Sequence, residues 1–245
     1  MGLFSKFKEF QESRKQSRIE KSGKLVKNAK AIKEDRRAAI EFFSHLDDPE
    51  EATRYLLPRF EYSLEHGIID TREKELAMEG VCRHGKAALG PVRDWISSTN
   101  RIAWPIKILK KIGSDDEIVE VLKTALNFDD VSFDQAAVDK NYDVLCYLRD
   151  YQLGGFADKV LHFMKDPDER VRFACVEVLI EQDIDGIQDL LEPLLADNSP
   201  DNIRILQSVV SLFIEKNWAL KNPEVFDGRQ VTEGVRVTKK GILTR

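Results

Sequence analysis

The sequence predicts an all-α fold, an α-solenoid of stacked antiparallel helix pairs, and a repeated helix-start pattern is the first observation behind this prediction. In the segment 166–182, Asp166 can cap a helix, Pro167 suits its first position and Glu169 completes a capping box. Similar patterns recur at residues 48–51, 70–73, 114–117 and 199–202. The chain is therefore expected to form a series of short helices with similar beginnings.

The second observation is the spacing of apolar residues within and between these helices. After the start at residue 166, apolar residues recur at helical steps and share one face: Val171, Ala174, Cys175, Val178 and Leu179. The first helix of each pair begins near residue 34, 70, 101, 136, 166 or 199, a spacing that fits two short antiparallel helices per unit. Neither helix of a pair could bury its apolar stripe alone, so neighbouring pairs must stack.

Second helices are predicted between these starts, over residues 49–64, 86–97, 114–126, 155–165 and 186–196, so that the repeats span residues 34–217. In the fourth pair, Phe156 and Val160 belong to the apolar stripe of the second helix. In the third pair, Trp104-Pro105 must lie early in a helix that starts near Asn100, because proline is tolerated only in the first turn.

The carboxy-terminal segment 218–245 departs from the helical pattern. It contains Pro223, Gly228, Gly234 and Gly241, and its branched apolar residues favour extended structure. One interpretation is a small hairpin around Glu233-Gly234 that covers the last apolar helix face, since solenoids require end caps. The other interpretation is a strand that the tail donates to a partner.

The run DPDERVRFA at residues 166–174 resembles the HEAT-repeat family, and in particular its short bacterial form, which also occurs in phycobilisome-lyase-like proteins. Asp166 and Arg172 occupy positions at which that family often builds a ladder of hydrogen bonds between repeats. Ile203-Arg204 echoes the preceding Val171-Arg172, whereas the first helices of the first four pairs contain no such valine-arginine pair.

The chain is also similar to a group of bacterial HEAT-repeat proteins through Trp104-Pro105 and the glycine-containing tail 233–241. These resemblances imply an armadillo-like, right-handed α-α superhelix. They bring no known activity and no cofactor with them.

Length and composition agree with this fold, because 245 residues with 42% hydrophobic content can bury a continuous core without metals or disulfides. Cys82, Cys146 and Cys175 are widely spaced at apolar helical positions, so we expect buried small hydrophobes. No apolar run is long enough to span a bilayer, and the amino terminus does not resemble a secretory signal. These features predict a cytoplasmic protein, with peripheral attachment to a membrane as the alternative.

Charge is distributed unevenly along the chain. The net charge is +7 over residues 1–33, −15 over the repeats and +3 from Trp218 onward, within a formal total of −5. An acidic repeat body repels phosphate backbones, which disfavours nucleic-acid binding.

The basic amino-terminal segment 1–33 has two interpretations. Apolar residues at near-helical spacing, followed by a polybasic stretch, supply the two signals that reversible binding to an anionic membrane requires. An apolar pattern that continues from Ile19 fits equally well a capping helix over the first repeat. The candidate membrane or anionic contacts are Leu3, Phe4, Lys6, Phe7, Lys8, Phe10, Arg14, Lys15 and Arg18.

No sequence pattern indicates catalysis or a metal site, and we predict no enzyme, no cofactor and no small-molecule substrate. The four histidines lack metal-ligand spacing, and most carboxylates lie at helix starts, where capping and the helix dipole explain them. Two enzyme alternatives remain: a bilin-lyase-like activity, suggested by the repeat type, and a HEAT-like DNA glycosylase, suggested by Trp95, Trp104 and Asp94.

We therefore expect a non-catalytic scaffold or adaptor that binds a protein or peptide through the surface of its stacked repeats. A membrane-surface adaptor anchored by the basic helix is the alternative. The candidate partner surface lies on the second helices and comprises Arg54, Arg59, Arg93, Trp95, Glu120, Lys123, Asp158, Lys159 and His162.

Overall fold

The computed structural model describes residues 3–129, 133–182, 184–197, 199–226 and 230–245, with side-chain positions from Lys8 onward. Helices form most of this part of the chain, which confirms the predicted all-α class, and short strands occur in its carboxy-terminal tail. The chain divides into two compact units, Met1–Ala125 and Leu126–Arg245.

The described part of the first unit consists of a long amino-terminal helix and three helix pairs. Two layers pack against each other, one formed by α2, α4 and α6 and the other by α3, α5 and α7, and side chains such as Ile40, Leu56 and Ile106 are completely buried between them. The 3₁₀ segments Leu57–Glu61 and Gly85–Ala88 adjoin the second layer. The helices are α1 (Leu3–Lys27), α2 (Lys33–Ser44), α3 (Pro49–Leu56), α4 (Gly67–Arg83), α5 (Leu89–Ser98), α6 (Ala103–Ile112) and α7 (Asp115–Ala125).

In the second unit, long helices alternate with shorter helical segments. Three long helices, α8 (Gln135–Leu148), α10 (Glu169–Ile180) and α12 (Ile203–Glu215), pack side by side. The segments between them mix α-helix and 3₁₀ geometry: α9 (Ala157–Val160) lies between 3₁₀ segments Gly154–Phe156 and Leu161–Lys165, and α11 (Ile187–Leu191) continues into Glu192–Ala196. The segment Leu161–Lys165 packs on α10, and Glu192–Ala196 packs on α12.

The tail forms a small antiparallel sheet of β1 (Gln230–Thr232), β2 (Val235–Val237) and β3 (Leu243–Thr244), in that order. Gly234 lies between β1 and β2 with φ of 75°, a conformation that glycine adopts without steric cost. Val231, Val235 and Leu243 are buried in one apolar cluster with residues of α12. The hairpin therefore covers the last long helix, as the capping interpretation expects.

Two of the predicted helix starts are confirmed by their hydrogen bonds. The Asp48 carboxylate accepts the N–H of Glu51 at 2.9 Å, with Pro49 at the first position of α3. Ser114 and Glu117 form a reciprocal capping box before α7, since the Glu117 carboxylate accepts the Ser114 N–H at 2.7 Å. Pro105 is the third residue of α6, so its missing N–H lies in the first turn, where the helix needs no donor.

Two other predicted starts are wrong in detail. Asp168, not Asp166, caps α10, and its carboxylate accepts the Arg170 N–H at 2.8 Å. Asp166 instead accepts the Asp168 N–H in the preceding turn, which moves the helix start to Glu169. Asp70 does not begin a helix either, because α4 starts at Gly67 and the Asp70 carboxylate turns into a buried ion-pair cluster.

Arg172 links consecutive loops of the second unit. Its guanidinium donates to the backbone carbonyl of Asp166 at 2.7 Å and to the Asn202 side chain at 2.8 Å, thirty residues further on. Arg204 occupies the corresponding position in the next helix pair but makes a different contact. Its side chain is exposed and forms an ion pair with Glu169, at the start of the preceding long helix. Arg172 and Arg204 therefore occupy similar positions in the sequence but make different contacts.

Arg36 makes the equivalent contacts in the first unit, although no valine precedes it. Its guanidinium donates to the loop carbonyls of Ala29 and Ala31, and to both carboxylate oxygens of Glu73, 37 residues further on. Arg36 thus joins its preceding loop to the next helix pair as Arg172 does, but its distant partner lies within α4 and not in a loop.

The prediction that all three cysteines are buried is confirmed only at Cys175. Cys175 is buried, and its thiol donates to the Val160 carbonyl at 3.1 Å, whereas Cys82 is half-buried. Cys146 is exposed on α8. Among the described residues, no helix combines the length and apolarity that a bilayer crossing needs.

Candidate interaction surfaces

Some of the residues predicted to form the partner surface lie close together on the second layer of the first unit. Arg54 on α3 and Arg93 on α5 both approach the carboxylate of Asp94, at 4.0 and 3.8 Å respectively, and all three side chains are more than half exposed. Exposed pairs of this kind contribute little to stability, so their charges stay available to a partner. The structure thus brings Arg54 and Arg93 together at one acidic side chain.

Glu120 and Lys123 are placed on α7 and pair with each other at 2.9 Å. Glu120 is 70% exposed, but Lys123 is only 19% exposed, because its aliphatic stem lies against the layer. Trp95 is half-buried, and its indole N–H is buried and has no acceptor within the described ranges. Trp95 therefore belongs to the edge of the core rather than to an open surface.

The assignment of Arg59 to the partner surface is wrong. Its side chain is completely buried, where it donates to Asp70 at 2.7 Å and to Glu73 at 3.2 Å. Lys74 also donates to Asp70, at 2.7 Å. Helical periodicity placed Arg59 on a regular second helix, but the chain is already 3₁₀ at Leu57–Glu61, which turns this side chain inward.

These residues and Arg36 form what we call the buried charge cluster: Arg36, Arg59, Asp70, Glu73 and Lys74. Burial alone would raise the pKa of Asp70, but hydrogen bonds from Lys74, Arg59 and the Leu64 N–H hold it below its ordinary value of 3.8. Every charge in the cluster has an opposite partner, so the cluster holds helix pairs together and offers no group to a ligand.

In the second unit, three predicted surface residues surround an aromatic group that the sequence reading missed. Phe128 has its ring centroid 5.2 Å from that of Phe163, 5.6 Å from that of His162 and 6.4 Å from that of Phe156. Lys159 places its ammonium 5.7 Å from the Phe156 centroid. We call this group the aromatic patch: Phe128, Phe156, Lys159, His162 and Phe163.

The aromatic patch combines a buried ring with exposed rings. Phe163 is 1% exposed, whereas Phe128 is 37% exposed and His162 is exposed as well. Asp158, which precedes Lys159 in α9, is also exposed. Phe156 was predicted to be core but is half-buried, because the Gly154–Phe156 segment adopts 3₁₀ geometry and changes the face on which it lies.

Phe128 could not be found by periodicity, since it lies in the connection after α7. Its sequence context does distinguish it, because Phe128 lies in a polar connection, Asn-Phe-Asp, and belongs to no apolar helical stripe. Asn127 is anchored by reciprocal bonds with Asn141, of which the Asn127 N–H bond is 2.8 Å, so the preceding backbone is fixed.

Between the long helices of the second unit, arginines stack on aromatic rings of the neighbouring helix. Arg170 lies 5.6 Å from the Tyr142 centroid, and Arg204 lies 4.6 Å from the Phe173 centroid. Hydrogen bonds that the Arg170 guanidinium donates to Asp168 and Asp139 raise the pKa of Arg170 above its usual range. These contacts join adjacent helices. Both cations are also neutralised, Arg170 by Asp139 and Asp168, and Arg204 by Glu169.

The predicted anionic contacts on α1 fall into two groups. Leu3, Phe4, Lys6 and Phe7 have side chains outside the described residues. The remaining candidates, Phe10, Lys8, Arg14, Lys15 and Arg18, are all exposed.

No protein-family model, curated protein or solved structure matches this chain. Within the described ranges, no cluster of three or more histidine, cysteine, aspartate or glutamate side chains is placed to hold a metal ion. The two tryptophans considered for a glycosylase lie on different layers, Trp95 on α5 and Trp104 on α6. Trp104 stacks on Phe60, with centroids 6.0 Å apart, and Lys107 lies 4.3 Å from its ring centroid.

Proposed function

We propose that this chain is a non-catalytic interaction module of HEAT-like helix pairs, and that the aromatic patch is the centre at which it binds a protein or peptide. The observation that supports this proposal is the state of Phe128, which is 37% exposed while three neighbouring rings hold it in place. A large aromatic side chain that is already ordered loses little conformational entropy on binding.

The surroundings of Phe128 have the composition of a protein-binding centre. Interfaces combine an apolar core with a polar rim, and aromatic residues are enriched among those that dominate affinity. Here Phe128 and Phe156 are the apolar core, and Asp158, Lys159 and His162 are the rim. We expect the partner to place an apolar side chain on Phe128 and polar groups over Lys159 and His162.

The repeat assignment is part of the same proposal. Layered helix pairs, and the arginines Arg36 and Arg172 that join consecutive helix pairs, support a HEAT-like solenoid arrangement within each unit. A rigid scaffold of this kind keeps the aromatic patch in one geometry. The glycosylase and bilin-lyase alternatives draw no comparable support, since Trp95 and Trp104 lie in different helix layers and Trp104 stacks on Phe60.

The test has two stages, recovery of the partner and localisation of its contact. Tagged full-length protein with a photo-crosslinking residue at Lys159 is compared with the same residue at Gln207, an exposed position on α12. A protein crosslinked from Lys159 but not from Gln207 is then purified, and its Kd is measured. Phe128→Ala should weaken binding at least about tenfold.

Ile203→Ala is the matched control, because Ile203 is an exposed apolar residue of the same unit at 53% exposure. It should change the Kd by less than about twofold. Equal effects of the two substitutions, or crosslinks that form equally from both positions, would rule out the aromatic patch as the contact centre.

A further inference from the structure

Helix α1 docks on the first repeat through one face only. Ile19 is 2% exposed and Val26 is completely buried. Gly23 lies between them, and a Cβ atom there would come within 2.4 Å of the Tyr55 ring, so α1 and α3 approach closely at this point. From Lys8 to Arg18, in contrast, every residue is exposed. The capping interpretation thus applies to the second half of α1.

The opposite face of α1 combines an exposed aromatic residue with cations. Phe10 is 59% exposed and precedes Ile19 by nine residues, which at 100° per residue places it on the other side of the helix. Arg14, Lys21 and Lys24 follow Phe10 by four, eleven and fourteen residues, and all fall within about 40° of it. We call Phe10, Arg14, Lys21 and Lys24 the outer face of α1.

The cations of the outer face have no acidic partner among the residues that the structure describes. None of the seven lysines and arginines from residue 8 to residue 27 forms an ion pair with a residue that the structure describes. Glu9, Glu12 and Glu20 lie at least about 80° of helix rotation away from Phe10. The Arg14 guanidinium lies 5.4 Å from the Phe10 ring centroid, so cation and aromatic ring share one surface.

We propose that the outer face of α1 binds an anionic phospholipid surface, with the helix axis in the plane of the interface. Phe10 would enter the boundary between headgroups and acyl chains, and the three cations would contact lipid phosphates. A bilayer fits this face better than an acidic protein, because the face belongs to a single exposed helix and places an apolar ring beside its cations. The aromatic patch takes no part, so this inference is independent of the proposed protein partner.

Sedimentation with vesicles tests the assignment on the full-length chain. The outer-face variant is Arg14→Glu/Lys21→Glu/Lys24→Glu, and the matched control is Lys8→Glu/Lys15→Glu/Lys27→Glu, with the same change in net charge on the same helix. Vesicles of phosphatidylcholine with 30 mol% phosphatidylserine, about that fraction being typical of an anionic leaflet, should bind wild type, and pure phosphatidylcholine should not. The outer-face variant should lose about 100-fold in affinity, at about fivefold per cation.

Three further results decide between this surface and its competitors. The control triple should lose at most about tenfold, and Phe10→Ser should weaken binding by about tenfold while Ile68→Ser, at 73% exposure on α4, leaves it unchanged. Failure of wild type to bind the anionic vesicles, or equal losses in the two triple variants, would overturn the proposal. Binding to polyglutamate without binding to vesicles would replace the lipid by an acidic polypeptide.

Discussion

Glu73 lies at the centre of the buried charge cluster, and replacing it with glutamine isolates the contribution of one charge. The Glu73 carboxylate is 5% exposed and accepts from Arg36 at 2.8 Å and from Arg59 at 3.2 Å. Arg36 is 4% exposed and Arg59 is completely buried. Glutamine keeps the volume and one acceptor oxygen but removes the negative charge.

The magnitude follows from the charge balance of the cluster. In the native protein three cations, Arg36, Arg59 and Lys74, face two carboxylates, Asp70 and Glu73. After Glu73→Gln the same three cations face Asp70 alone, so at least one buried guanidinium is left without a counter-charge. Removal of one partner from a buried ion pair costs about 3–5 kcal/mol, which for a chain of this length corresponds to a Tm decrease of about 6–20 °C.

The assay is urea unfolding at pH 7, followed by tryptophan fluorescence in a Trp218→Phe background. Trp95 and Trp104 then report on the first unit alone, which avoids treating two compact units as one transition. Glu79→Gln is the matched control, because Glu79 is exposed on the same helix, and it should change the free energy of unfolding by less than about 0.5 kcal/mol. Indistinguishable unfolding midpoints for Glu73→Gln and Glu79→Gln would refute the reasoning.

Three other predictions follow from the same structure. Gly23→Ala should lower stability by about 1–3 kcal/mol despite the better helix propensity of alanine, since its methyl group meets the Tyr55 ring; a stability gain in thermal melts would contradict this contact. The lowered pKa of Asp70 means that its stabilisation is present above pH 3.8 and is lost as the pH falls below that value, so Asp70→Asn should flatten the decline of the urea midpoint on acidification. Val171→Asp should unfold the second unit by circular dichroism, whereas Glu181→Ala at an exposed position should leave it folded.

The sequence determined those features that depend on neighbours along the chain. Asp48 and Ser114 cap helices with residues three positions away, and Pro105 restricts where its helix begins. The apolar stripe that contains Val171 and Leu179 is buried as its spacing predicts. Each of these depends on local geometry, which short sequence patterns record.

Tertiary structure alone decided which charges are buried and which aromatic rings meet. Asp70 and Glu73 follow the same pattern as capping residues, yet they neutralise Arg59 and Arg36 from other helices. Phe128 gains its neighbours from a segment about thirty residues further along the chain. The physical reason is that desolvation and pairing energies depend on distances across the fold. A 3₁₀ segment rotates a side chain by part of a turn, which changes those distances without changing the apolar pattern of the sequence.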